Sequence, residues 1–278
     1  MSRLPCRQST EQVDAMAGFA GRRAQALLIA ILTYFAVTTA GLGIGAHWRH
    51  EDRAPGVMLL GSGSHVSILV VDGDARLLIA SGDDASAFGN ALAEAMHPTS
   101  RRIDVVVIDG DERSGAVAAR VRRDFPGATT FVMPGELANR LADFNLQPDD
   151  VIAKDTHIAL TPELTVTIFP GSDGDNGWRA EIRRRSTRVL AISDGKMAPM
   201  GQQVSAIVFT DRYDASALAG SGGRAVIVPS GATSLDKLRA DAQGTVSTDF
   251  ALFVGDGEAI RLKFTDRGTE LPSDAIAL

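Results

Sequence analysis

Cysteine is nearly absent: Cys6 is the only one in 278 residues, and it lies in the polar N-terminal stretch. That excludes an internal disulfide and any multi-cysteine metal cage. Lysine is almost as scarce. Lys154, Lys196, Lys237 and Lys263 are all of them, so arginine supplies the remaining positive charge, a bias that reflects genome composition more than function. The formal net charge of −6 leaves no general attraction to nucleic acid or anionic lipid. No Gly-x-Ser-x-Gly elbow occurs and no Ser/His/Asp set is helpfully placed, so serine hydrolysis has no motif to stand on. Gly61-Ser-Gly-Ser64 lacks the lysine and the following Ser/Thr of a phosphate-binding loop, and reads as a tight turn between strands.

What is present describes a folded chain. Hydrophobic residues make up 45% and charged residues 22%, a globular balance. The length allows one large domain or two small ones. Arg22-Arg23 precede a charge-free stretch from Ala24 to Ala46, closed by His47-Trp48-Arg49. A helix needs roughly 20 apolar residues to cross the ~30 Å hydrocarbon layer, and this stretch is long enough. Trp48 is placed as an interfacial anchor, and the arginines before the span put the N-terminus inside and the rest outside the cytoplasm. The competing reading is a cleaved signal peptide with Thr38-Thr39-Ala40 as its small-residue cleavage site. The long apolar region and extended leader favour an uncleaved anchor. The expected organisation is a cytoplasmic tail over 1–21, a membrane helix over 22–48, a linker over 49–56, a domain over 57–264 and a loose polar tail over 265–278.

Within that domain Val57–Leu60, His65–Val71 and Arg76–Ala80 predict a meander of three strands, with Asp72-Gly73-Asp74 as a turn. Ala85 to Met96 has helical spacing. The central stretch is Arg102-Ile-Asp-Val-Val-Val-Ile-Asp-Gly-Asp-Glu-Arg113. Its unbroken run from Val105 to Ile108 reads as a strand buried on both faces, ending in an acidic, glycine-containing turn. Further on, helices are expected over Ser114–Phe125, Gly135–Phe144 and Ser234–Ala242. Strands are expected over Thr129–Met133, Thr165–Phe169, Trp178–Arg184, Arg188–Ile192, Val204–Thr210 and Ala225–Val228. A last hairpin joins Thr245–Thr248 to Ala251–Val254 and turns at Gly255-Asp256-Gly257 into Ala259–Phe264. Two β-rich halves, each bearing helices, predict two sheets sandwiched between helical layers.

This order of motifs resembles the metallo-β-lactamase-like domain at the C-terminal end of ComEC-type competence channel proteins, over about Val57 to Arg261. Where that family opens on Val-Gly-Gln-Gly-Asp, this chain has Leu60-Gly61-Ser62-Gly63-Ser64; for Leu-Ile-Asp-Thr-Gly it has Leu78-Ile79-Ala80-Ser81-Gly82. The family's Thr-His-x-Asp-x-Asp-His turn corresponds to Asp109-Gly110-Asp111-Glu112-Arg113-Ser114. Its Thr-Gly-Asp corresponds to Ile192-Ser193-Asp194, and its His-His-Gly-Ser to Asp211-Arg212-Tyr213-Asp214. The resemblance implies an α/β fold, a metallo-β-lactamase-like αββα sandwich, here preceded by one transmembrane helix.

The departures bear on chemistry. Metal-assisted hydrolysis in this fold needs imidazoles and carboxylates converging on one or two ions. None of the five histidines, His47, His50, His65, His97 and His157, falls on a family ligand position. Asp194 keeps a ligand-type residue, and Asp111 is a second candidate. Asp109, Asp111, Asp194 and Asp211 all sit at predicted strand ends on one rim, where an all-oxygen cluster would suit Mg²⁺, Mn²⁺ or Ca²⁺ better than Zn²⁺. The simpler reading is that each caps a helix or shapes a turn. Arg113 and Arg212 add positive charge where a cation should sit. Arg183-Arg184-Arg185 with Arg188 is the only dense basic run, a candidate surface for DNA phosphate, lipid head groups or an acidic protein; the simpler reading pairs these arginines with nearby acids. His157 reads as structural.

The expectation is therefore a membrane-anchored, non-catalytic domain without cofactor, facing outside the cytoplasm. It would act as a structural or accessory subunit among protein partners in a larger membrane complex. The rival expectations are a phosphodiesterase-like hydrolase using the aspartate cluster and a DNA-uptake accessory.

Overall fold

The structure, a computed structural model, describes residues 53–96, 101–171, 177–193, 204–216, 218, 223–243, 248–265 and 268–278. The chain divides into two units, Met1–His50 and Glu51–Leu278, and every described residue lies in the second. The expected membrane span, with Arg22, Arg23 and Trp48, lies outside the described residues. Among the described residues no helix is long and apolar enough to cross a membrane.

Among the described residues sixteen strands run in chain order: β1 (Gly56–Ser62), β2 (His65–Asp72), β3 (Ala75–Ala80), β4 (Val105–Ile108), β5 (Thr129–Val132), β6 (Asp150–Val151), β7 (Thr156–Ala159), β8 (Leu164–Pro170), β9 (Trp178–Arg184), β10 (Thr187–Ile192), β11 (Ala206–Phe209), β12 (Ala225–Pro229), β13 (Phe250–Val254), β14 (Ala259–Thr265), β15 (Gly268–Glu270) and β16 (Ile276–Ala277). They form two eight-stranded sheets, ordered β15-β14-β1-β2-β3-β4-β5-β6 and β16-β13-β12-β11-β10-β9-β8-β7. Among the described residues four α-helices accompany them: α1 (Ala85–Ala95), α2 (Gly115–Asp124), α3 (Glu136–Asn139) and α4 (Leu235–Ala242).

The unbroken apolar runs have a direct cause. Successive strand residues face opposite sides of a sheet. In β1 to β4, Val57, Leu59, Ile68, Val70, Ile79 and Val107 enter the core between the two sheets. Their neighbours Met58, Leu60, Leu69, Val71, Leu78, Val106 and Ile108 face the opposite way, against Phe88, Leu92, Val117 and Val121 of α1 and α2. Both faces are covered, so both must be apolar. On the second sheet, Val189 and Ala191 enter the inter-sheet core, while Leu190 and Ile192 join a third cluster containing Leu238 of α4. At the β8–β9 end the alternation is clean: Trp178, Ala180 and Ile182 are buried, whereas Arg179, Glu181 and Arg183 are not. The result is the αββα layering expected from the sequence.

Helix starts follow local chemistry. Asp84 caps α1 by accepting from Ser86 N and Ala87 N, at 2.7 and 2.9 Å. Ser234 caps α4 by accepting from Lys237 N. The helix expected over Gly135–Phe144 is instead the single turn α3 followed by a 3₁₀ turn, Leu141–Phe144, closed by Asn145 in the left-handed region. Only Leu137 is buried in the two turns. The Phe144 ring lies against the bare Cα of Gly115, so the chain leaves the helical path to seat that ring.

Three other expectations are corrected. The C-terminal stretch is not a loose tail: β15 pairs with β14 and β16 with β13, and Leu271 and Ala275 pack on the inter-sheet core. Open strand edges need backbone partners, and the tail supplies them. Gly255–Gly257 does not close a hairpin, because β13 and β14 belong to different sheets and the turn carries the chain between them. Of the expected strand Thr245–Thr248, only Thr248 is described and it is not in a strand; β13 pairs with β12 in parallel.

Leu59 is fully buried between the sheets. Leu59→Ala is expected to lose about 2–5 kcal/mol of stability by urea denaturation. Thr165→Ala, on the outward side of β8, is expected to change it by less than about 0.5 kcal/mol. Equal losses would contradict the layering.

Candidate functional site

The two sheets meet at a rim where one cavity, about 350 Å³, is lined by Asp109, Asp111 and Arg113 after β4, Glu136 of α3, Gly177 and Ser193 at the ends of β9 and β10, and Asp211 and Arg212 after β11. Parallel neighbours place β4 between β3 and β5, so the turn after β4 leaves the sheet at its carboxyl edge. Gly110 is required there. A Cβ on it would stand 2.1 Å from the Pro134 carbonyl oxygen, so only glycine lets the acidic turn lie against the end of β5.

Asp109 is buried, and it joins the two sheets. Its Oδ2 accepts from Ser81 Oγ at 2.8 Å, and its Oδ1 accepts from Trp178 Nε1 at 3.0 Å and Asp111 N at 3.3 Å. Burial pushes its carboxyl above the usual range, with the nearby Asp111 charge adding to the rise and the three donors opposing it. Asp109 is therefore a structural acceptor at the cavity floor.

Asp111 and Asp211 share one cation belonging to the protein itself. Arg113 donates to Asp111 Oδ2 through Nε at 3.0 Å and Nη2 at 2.5 Å, and Nη2 also reaches Asp211 Oδ2 at 3.1 Å. Asp111 Oδ1 accepts from the Arg113 backbone N–H at 2.9 Å, which starts the 3₁₀ turn Glu112–Ser114. Burial alone would raise the Asp111 carboxyl, but the Arg113 hydrogen bonds and charge outweigh it and hold it below the ordinary range. The hydrogen bond to Asp111 in turn pushes the Arg113 guanidinium upward. The Arg113 side chain is 43% exposed and that of Asp211 is 19% exposed, so solvent reaches the pair from one side. Arg212 lines the same cavity with an 80% exposed side chain.

His65 completes the rim, and sequence reasoning did not place it there. It begins β2, where the Val66 backbone N–H donates to the Thr210 carbonyl at 2.8 Å. That bond ties the first sheet to the end of β11 and sets His65 beside Asp211. Its Nδ1 lies 3.0 Å from Ser64 Oγ, and its Nε2 lies 3.6 Å from Asp211 Oδ1 without a hydrogen-bond partner. The only available signal was position, a histidine at the first residue of a strand on the acidic rim.

Ligand atoms of His65, Asp111 and Asp211 lie within 4.8 Å of one another, the one such group among the described residues. These donors do not fit a histidine-rich, two-ion centre. One imidazole is present, and Arg113 already bonds two of the three donors. Of the four candidate aspartates, Asp109, Asp111 and Asp211 share the cavity, and Asp194 lies outside the described residues. Asp111 caps a turn in the manner of the simpler reading, and Asp109 accepts from the backbone N–H two residues on in the same way.

The basic run lies elsewhere, on the β9–β10 hairpin, and is largely paired with acids. Arg184 and Arg185 bond Glu163 at 3.0 and 2.8 Å, and Arg188 approaches Glu181 at 3.5 Å. Arg183 faces Arg188 across the strand pair. His157 is on the edge strand β7, with Nδ1 2.9 Å from Thr167 Oγ1.

No protein-family model and no curated protein matches the sequence. The structure superposes on the metallo-β-lactamase fold protein YhfI from Bacillus subtilis with a TM-score of 0.54 at 14% identity, covering 75% of this chain and 99% of that one. Against the metallo-β-lactamase MIM-1 from Novosphingobium pentaromativorans the TM-score is 0.38 at 13% identity, over 73% of this chain and 74% of that one. The first of these, together with the layering above, shows that the chain has the metallo-β-lactamase fold.

The Asp109 carboxyl yields a pH test. Its folded value is raised above the ordinary 3.8, so above that pH the folded state holds a proton that the unfolded state has lost. Stability from this group therefore falls as pH rises through the window above 3.8. Asp109→Asn removes the ionisation and keeps an acceptor for Trp178. Its urea midpoint is expected to gain on the wild type as pH rises from about 4 to about 7; a pH-independent difference would contradict the assignment.

Proposed function

We propose that this chain is a membrane-anchored protein whose metallo-β-lactamase-fold domain recognises rather than hydrolyses, serving outside the cytoplasm as an accessory subunit of a larger membrane assembly. One observation carries the non-hydrolytic part: the Arg113 guanidinium bridges Asp111 and Asp211. Hydrolysis in this fold depends on an ion that lowers the pKa of bound water. A guanidinium neutralises the same carboxylates but has no open coordination position for water and does not give up its proton near neutral pH. The apolar stretch from Ala24 to Ala46 supports the anchor.

A second reading, a metal-dependent phosphodiesterase-like hydrolase, is favoured by the approach of His65, Asp111 and Asp211 to one another. The two differ in turnover. The full-length chain, assayed with bis-p-nitrophenyl phosphate and a chromogenic cephalosporin in the presence of Zn²⁺, Mn²⁺ or Mg²⁺, is expected to match the uncatalysed background. Metal-dependent turnover abolished by both Asp111→Asn and Asp211→Asn would overturn the proposal.

The anchor is tested separately by fractionation. The chain is expected to stay with membranes through an alkaline carbonate wash and to be released by detergent; release by the wash would remove the anchor from this account.

A further inference from the structure

The net charge of −6 is an average over two unlike ends of the sandwich. Strand directions define those ends. β1 is antiparallel to β2, β2 is antiparallel to β3, and β3 is parallel to β4, so β1 and β4 point the same way. The cavity follows β4, and there Asp109, Asp111, Glu136 and Asp211 outnumber Arg113 and Arg212. Gly56, the first residue of β1, therefore stands at the opposite end, the base. β10 ends beside Ser193 at the cavity, so the turn that joins it to β9 also lies at the base.

The base carries uncompensated positive charge. Acids there are already held: Asp74 by Arg53, Asp104 by Arg102 and Glu163 by Arg185. Arg101 and Arg183 are exposed and make no ion pair among the described residues. Arg122 donates to the Pro126 carbonyl at 3.5 Å and makes no ion pair either. Glu270, on β15, is five strands along the sheet from β4, roughly 24 Å away. That is well beyond the screening length of about 8 Å. Between the segments leading into β4 and β5 lies a groove of about 620 Å³. Buried Ile103, Phe125 and Ala128 line it together with exposed Arg101 and Arg102, a lining suited to an amphiphilic anion.

The described chain also begins at the base. Ala46, the last residue of the apolar stretch, precedes Arg53 by seven positions, which span at most about 25 Å. A tether that short turns a weak affinity for lipid into a high effective concentration.

We infer that the base is a docking surface for anionic phospholipid head groups, engaged through Arg101, Arg102, Arg122 and Arg183, and that docking turns the cavity away from the bilayer. β1 is seven residues long, so the cavity stands roughly 23 Å beyond the docked surface. The inference rests on the anchor proposed above and goes beyond it, because an anchor alone leaves the domain to tumble on its linker. Docking holds the acidic rim outward, where a partner can reach it.

The test is hydrogen–deuterium exchange on the full-length chain in lipid nanodiscs, of phosphatidylcholine alone or with one-third phosphatidylglycerol. Entry into the discs reads the anchor, and the difference between the two lipids reads the docking. In the anionic discs, exchange over 101–103 and 127–129 is expected to slow by about tenfold or more, with that over 109–113 unchanged. Salt at about 0.5 M is expected to remove the slowing by shortening the screening length. Arg101→Gln combined with Arg183→Gln breaks no ion pair and is expected to remove most of it, each arginine near an anionic surface counting for about fivefold. Unchanged exchange over 109–113 in that variant shows that it has folded. Duplex DNA added to the anionic discs is expected to leave the slowing in place. Equal exchange in the two kinds of disc, with the chain inserted in both, overturns the inference and spares the anchor; failure to enter the discs overturns both. Slowing that survives salt or the double variant also overturns it, and slowing that DNA abolishes gives the surface to nucleic acid instead.

Discussion

The rim of this protein is held by a positive charge that the chain carries with it. Arg113 leaves the turn after β4 of one sheet and bonds Asp211, which follows β11 of the other. Asp111 starts the 3₁₀ turn that aims the guanidinium, and the same guanidinium lowers the Asp111 carboxyl. The two acidic turns would otherwise face each other across the cavity as uncompensated like charges. Beneath this exposed pair lies a second tie, the buried Asp109 accepting from Trp178, and beside it a third, the backbone bond from Val66 to Thr210. The sandwich is glued by apolar contact through its middle, but at this end it is closed by polar bonds.

That arrangement separates two features usually taken together. The scaffold is the metallo-β-lactamase fold, and the turns that reach its rim arrive where the topology dictates. The side chains on those turns are mostly carboxylates, with two guanidiniums, Arg113 and Arg212, and the one imidazole of His65 beside them. The Arg113 guanidinium, a cation of the chain itself, neutralises two of those carboxylates, Asp111 and Asp211. His65, buried at the start of β2, faces that pair with its Nε2 3.6 Å from Asp211.

Much of the first half of the fold was legible because its physics is local. The runs in β1 to β4 are covered on both sides, so they show as continuous apolar stretches, and Asp84 and Ser234 mark helix starts by their own side-chain bonds. What escaped was decided by tertiary contact. β15 and β16 are polar or very short, and they exist because neighbouring strand edges need partners. The helix expected over Gly135–Phe144 breaks because Phe144 seats on Gly115, a contact no periodicity encodes. At the site, the acidic turn was visible as chemistry at a strand end. The bond from Arg113 to Asp211 spans 98 positions of sequence, and His65 reaches the rim only because the two sheets are tied there. The arginine run on β9 looked like a binding surface because its partner Glu163 precedes the adjacent strand, invisible until the register is known.

High-resolution diffraction from metal-free crystals addresses the central claim most directly, because it locates the guanidinium itself. The account predicts continuous density for Arg113 between Asp111 and Asp211. Density showing Arg113 turned away into solvent, with those carboxylates bonded instead to water or to backbone groups, would contradict it.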